Sequence, residues 1–142
     1  MRPILGTLAL LLTLLGCGSD DDVRVDPMPS VIQVALLTAT SAGGEVTTKP
    51  TLLPDDAAVR EYAGQFRSDQ LGGDIIAAAA KAEVPDGQQL AAAVVAVGCD
   101  VPPQVVGSGS GDDLVVHAVL PSPSDKKCFA PITTVALVLV PV

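Results

Sequence analysis

Apolar and polar positions alternate along this chain in blocks that change period, and the changes mark its elements. Val31 to Thr38 (VIQVALLT) is apolar, rich in β-branched residues and short, which predicts a strand. Val46 to Leu53 (VTTKPTLL) predicts a second extended segment, confined to an edge or ended by Pro50. After Pro54-Asp55-Asp56 the period becomes helical: Val59, Tyr62, Ala63 and Phe66 fall at i, i+3, i+4 and i+7 along one face. Asp55 is placed to cap that helix, which is expected to run to about Ser68 and end before Gly72-Gly73. A shorter helix is expected from a cap at Asp74 through Ile75, Ile76 and the alanines to about Glu83, where Pro85 stops it and Asp86-Gly87 turns the chain.

The second half reads as strands. Gln89 to Cys99 (QLAAAVVAVGC) carries small or aliphatic side chains at every position, the pattern of a central strand covered on both faces. Pro102-Pro103 ends it, Gln104 to Val106 opens a short strand, and Gly107 to Gly111 with Asp112-Asp113 forms a loop. Leu114 to Leu120 and Ile132 to Val140 are two more strands, separated by the polar Pro121 to Lys127 segment. The order predicts an α+β domain: a mainly antiparallel sheet with two short helices packed on one face. Two short helices cannot cover both faces. Either the sheet curls toward a sandwich or half-barrel, or a partner protein shields the second face, and the abundance of alanine and valine favours curling.

The amino terminus has a different character. MRPILGTLALLLTLLGC places one positive charge, Arg2, before a twelve-residue apolar run, Ile4 to Leu15, then Gly16 and Cys17. This is the order of a secretory signal, and twelve residues fall short of the roughly 20 that span a bilayer as a helix. Leu14-Leu15-Gly16-Cys17 resembles the lipobox of bacterial lipoproteins, in which a diacylglycerol is added to the cysteine sulfur and the signal is cut just before it. The resemblance implies a signal peptide at residues 1–16, a covalent lipid on Cys17, and lodging on the extracytoplasmic face of a bacterial cell membrane. Residues 17–30, with Asp20 to Asp22, Pro27 and Pro29, then read as a solvated acidic spacer. Its thirteen residues after Cys17 reach roughly 40 Å when extended. The adjacent aspartates lack the alternating donors and turn glycine of a calcium loop. Residues 31–142 are expected to form one domain.

Charge and composition narrow the possible partners. Without Arg2 the chain keeps seven Lys and Arg against sixteen Asp and Glu, a formal charge of about −9 with no basic cluster, so neither nucleic acid nor an anionic lipid surface is an expected partner. Tyr62, Phe66 and Phe129 are the only aromatic residues, which argues against sugar binding by ring stacking and against an interface built on aromatic hot spots.

Few residues offer chemistry. With Cys17 lipidated, Cys99 and Cys128 are the remaining cysteines of an exported chain, and a disulfide between them is expected. His117, the sole histidine, lies in an apolar strand on the side of Val115 and Val119. With Asp112 and Asp113 it makes the one speculative surface site. Two cysteines and one histidine without a CxxC clip supply no metal site, and no cofactor is expected beyond the lipid on Cys17. Ser124-Asp125-Lys126-Lys127 matches an SxxK pattern but lacks the companion motifs and domain size of penicillin-recognising enzymes. GSGSG is neither a phosphate loop nor a nucleophile elbow. Asp55-Asp56 and Asp112-Asp113 are neighbours in sequence only, so no catalytic residue is assigned.

A helix-bearing middle followed by strands and the terminal Ile132 to Pro141 segment (ITTVALVLVP) resembles the small extracytoplasmic domain of protease-complex subunits of the PrcB type, over roughly Lys49 to Val142. The glycine-glycine-aromatic signature of that domain's central hairpin is missing, so the resemblance transfers no functional residue. The expected role is therefore that of a membrane-anchored, non-enzymatic accessory lipoprotein, held by its lipid, that binds another envelope protein or acts as a structural spacer. A small envelope enzyme or protease inhibitor, and a carrier of a small apolar ligand, are the alternatives.

Overall fold

The computed structural model describes residues 30–122 and 125–142. Strands β1 (Ile32–Thr40), β2 (Thr51–Leu52), β3 (Gln88–Gly98), β4 (Gln104–Ser108), β5 (Val115–Val119) and β6 (Ile132–Pro141) are joined by helices α1 (Asp56–Ala63) and α2 (Asp69–Lys81) and one 3₁₀ turn at Gly111–Asp113. The fold is α+β, with four antiparallel strands in the order β1-β6-β3-β2 and β4-β5 as a separate ribbon.

The two central strands explain the chain's longest apolar runs. Leu90, Ala92 and Val94 of β3 and Val135, Leu137 and Leu139 of β6 point to one side, where Val59, Tyr62, Leu71 and Ile75 of the helices meet them. Their neighbours Ala91, Ala93, Val95, Ala136, Val138 and Val140 point to the other side and pack with Val105, Leu114 and Val116 of the ribbon region. Period-two alternation therefore feeds two cores, and neither strand keeps a polar face.

The covering of the second face differs from the expectation of a curled sheet. The sheet stays open, and the β4-β5 ribbon folds across it as a third layer. Three contacts hold the ribbon there. The Val116 amide donates to the Thr48 carbonyl at 2.7 Å. The Val105 amide donates to Gln33 Oε1 at 2.9 Å. Gly107 lies so close to Val31 that a Cβ built on it would sit 2.6 Å from Val31 Cγ1, so only glycine allows this approach. The sheet face beneath the ribbon is alanine and valine, side chains small enough to seat a second backbone layer.

The helix boundaries also move. α1 ends at Ala63 with Gly64 as its cap residue, and α2 starts after Ser68, so Gly72 and Gly73 lie inside it and Asp74 is not its cap. Ser68 Oγ accepts from the Leu71 amide at 3.2 Å, as Asp55 accepts from Ala58 at 2.9 Å for α1. A glycine inside a helix costs about 1 kcal/mol relative to alanine. At Gly72 the cost is offset by packing, because a Cβ there would stand 3.3 Å from the Ala63 carbonyl oxygen. Ser68→Ala should therefore destabilise the domain by about 1 kcal/mol in urea unfolding, whereas Asp74→Ala should stay within about 0.5 kcal/mol.

The extended segment around Pro50 is shorter than expected. Thr47 donates to Val94 at 2.9 Å and Leu53 to Leu90 at 2.8 Å, but only Thr51–Leu52 forms a ladder between them. Pro50 has no amide hydrogen for the ladder, and the segment lies at an edge, as proline requires.

Candidate functional site

Residues 1–29 lie outside the described residues, and with them the lipobox, Cys17 and most of the acidic spacer. Ser124 of the SxxK match is outside as well. The remaining candidates can be placed.

Cys99 and Cys128 form a disulfide with their Cα atoms 5.4 Å apart. It joins the chain just beyond β3 to the loop before β6, beside the pairing of Gly98 with Ile132, and the Cys128 amide donates to Cys99 Sγ at 3.1 Å. Both sulfurs are thereby committed to structure.

His117 sits on β5 opposite Val106 of β4, and both side chains are exposed on the outer side of the ribbon. Val116 and Leu114 point the other way into the core, so the spacing that puts His117 with Val115 and Val119 holds. Asp112 and Asp113 occupy the 3₁₀ turn at the ribbon tip and are exposed. The fold places the three on one hairpin, but no hydrogen bond or ion pair joins His117 to either carboxylate among the described residues. Asp55 is occupied as the α1 cap, and Asp56 follows it on the first turn of the helix. Among the described residues no three His, Cys, Asp or Glu side chains gather as a metal site would require.

Tyr62 and Phe66 are core residues. Their rings meet edge to face, 5.7 Å between centroids and 67° between planes, a favoured aromatic geometry. Phe66 achieves this from the turn after α1, not from the helix itself. Burial pushes the Tyr62 phenol up from its ordinary pKa, and the neighbouring Gln65 side chain offsets part of that shift. The Gln65 contact falls short of hydrogen-bond geometry, and Tyr62 Oη has no partner that meets it among the described residues.

Three surface features were not legible as sites in the sequence. The first is a cleft of about 470 Å³ between the start of α1 and the end of α2, lined by Leu53, Val59, Ile76, Val84 and Leu90 with Arg60 at its margin. Gln88, also on its wall, keeps a buried Oε1 without a partner among the described residues. The second is Phe129, whose ring is wholly exposed beside Lys126 and Lys127 on the disulfide-held loop.

The third is the outer edge of β1. Ser30 to Gly44 contains no charged residue, but only the strand order makes this run an edge strand with a largely exposed or half-buried surface. Across these features the chain stands alone, for no family model, curated protein or solved structure matches it.

Proposed function

We propose that this chain is a lipid-anchored lipoprotein on the extracytoplasmic face of the cell membrane, with a non-enzymatic accessory role in binding another envelope protein. The lipobox-like Leu14 to Cys17 and the acidic spacer supply the tether. The observation that carries the binding role is the polarity of the folded domain.

The spacer joins the sheet at the end where Ile32 pairs with Leu139. The loop carrying Phe129 lies at the opposite end, where Thr40 and Gly98 flank Ile132. A ten-residue strand separates the two ends by about 34 Å. Phe129 therefore stands at the end remote from the tether, on a loop that the Cys99–Cys128 bridge holds in place. Against the scarcity of aromatics in this chain, the one aromatic ring that stands fully exposed is its candidate anchor for a partner, since aromatic side chains are common at the energetic centres of protein interfaces. The adjacent Lys126 and Lys127 are two of the six cationic side chains in residues 30–142. They fit a partner whose apolar pocket is rimmed by carboxylates.

Two measurements in cells test the reading. Cys17→Ala should release the protein from membranes on fractionation, and continued membrane attachment would remove the tether. A photo-crosslinking residue in place of Phe129 should give one discrete adduct with a second envelope protein, absent when the same residue replaces Glu83. Adducts to lipid alone, or none, would overturn the binding role.

A further inference from the structure

β1 has the composition of an interior strand and the position of an edge strand. β3 and β6 are free of charge because both of their faces are buried, whereas β1 is equally free of charge with its outer side open. Among the described residues, its outer amides and carbonyls have no backbone partner; Ser41, just past its end, is bonded inward to Pro131. Sheet edges are usually blunted by charge, proline or a bulge. β1 has only a bulge, between Gln33 and Ala35, and Ala35 to Thr40 pairs in regular register with β6 beyond it. Ala35, Leu37 and Ala39 are only partly covered by the helix-side core, and Leu36 only partly by the ribbon-side core. One more strand alongside would complete both layers.

We propose that this edge is where two copies of the chain pair, antiparallel and within Ala35 to Thr40, about a two-fold axis at which Leu37 or Thr38 faces its own copy. Two four-stranded sheets then become one sheet of eight across a two-fold axis. An antiparallel edge strand is its own complement, since each copy supplies the donors and acceptors the other lacks. Charge favours the same contact. Residues 30–142 carry twelve acidic against six basic side chains, so two copies repel wherever their charged surfaces meet. β1 lies in one of their two longest uncharged runs, and the other holds β6, which is buried between strands.

The length of chain outside the structure also fits. In a two-fold pair the two spacers leave from opposite ends of the joined strands, about 30 Å apart for nine residues. Each spacer reaches roughly 40 Å, so both lipids can enter the same membrane. Pairing one edge covers less than the roughly 800 Å² per partner of a stable soluble dimer. Confinement by the tether raises the effective concentration to about the millimolar range, where a weak pair is populated. The membrane part of the proposal rests on the tether; the pairing does not.

The test uses the full lipidated chain in phosphatidylcholine vesicles, with single cysteines placed in turn at positions 33 to 40 and mild oxidation. A disulfide needs Cα atoms within about 7 Å, so either Leu37 or Thr38, the one on the axis, should give about ten times the covalent dimer of a Glu83→Cys control. Chains carrying Thr38→Lys should lose the dimer, chains carrying Thr38→Glu should lose it likewise, and a mixture of the two should recover it. Equal crosslinking at every position, or none above the control, overturns the proposal. If the chain fails to float with vesicles, the tether has failed and the scan is repeated on the Cys17→Ala chain at about 1 mM in solution. The same axial maximum there upholds the pairing, and a uniform monomer overturns it.

Discussion

Replacing Cys99 and Cys128 together by serine should lower the stability of the domain by about 3 to 4 kcal/mol, the entropy of leaving a loop of 29 residues open in the unfolded chain. For a domain of this size that corresponds to a fall in melting temperature of roughly 12 to 17 °C. The bridge lies at the edge of the core: Cys128 is exposed and Cys99 half-buried, so serine leaves no large cavity there. The loss should therefore follow from the unfolded state and be matched by reducing the unaltered protein. Intact mass without reductant should be two protons below that of the reduced chain. A double variant as stable as the parent, or free alkylation of both thiols in the native protein, would remove the bridge from the account of stability.

Leu137→Ala should cost a similar amount for a different reason. Leu137 is fully buried in β6, paired with Ala35 on one side and Ala92 on the other, in the helix-side core that Leu71 and Ile75 also fill. Its alanine neighbours have no longer side chain to swing into the space, and Leu71 and Ile75 are held by α2. Deleting the isobutyl group then leaves a cavity, and such changes cost 2 to 5 kcal/mol, toward the upper end where the walls are rigid. Leu52→Ala, at a leucine that is 47% exposed on the sheet edge, should change stability by less than about 0.5 kcal/mol. Urea unfolding of the two variants decides between a packed core and a loose one: equal, small losses would contradict the layered packing.

Much of this arrangement was legible before any coordinates. Among the described residues the runs Gln89 to Cys99 and Ile132 to Val140 became strands covered on both faces, as a run with few polar positions requires. The helical stripe from Val59 to Phe66 identified the face that docks on the sheet, although Phe66 reaches the core from a turn. Asp55 capped α1 as its chemistry requires. The break between the helices was misplaced because two adjacent glycines look like a stop. Ser68 supplies the cap that overrides them, and the closeness of Ala63 gives Gly72 a packing reason to be glycine.

The sequence by itself determined the class of the fold, the disulfide partners and the core-facing residues of the central strands. Those features rest on local periodicity, on residue chemistry or on simple counting of cysteines. Tertiary structure alone decided which strands pair. It detached β4 and β5 from the main sheet and laid them over Ala91, Ala93 and Ala136, left β1 at an edge despite an interior composition, and carried Phe129 to the end remote from the spacer. Strand pairing is a contact between residues far apart in the chain, chosen by how two faces and several edges share a limited apolar surface. No local pattern records that choice.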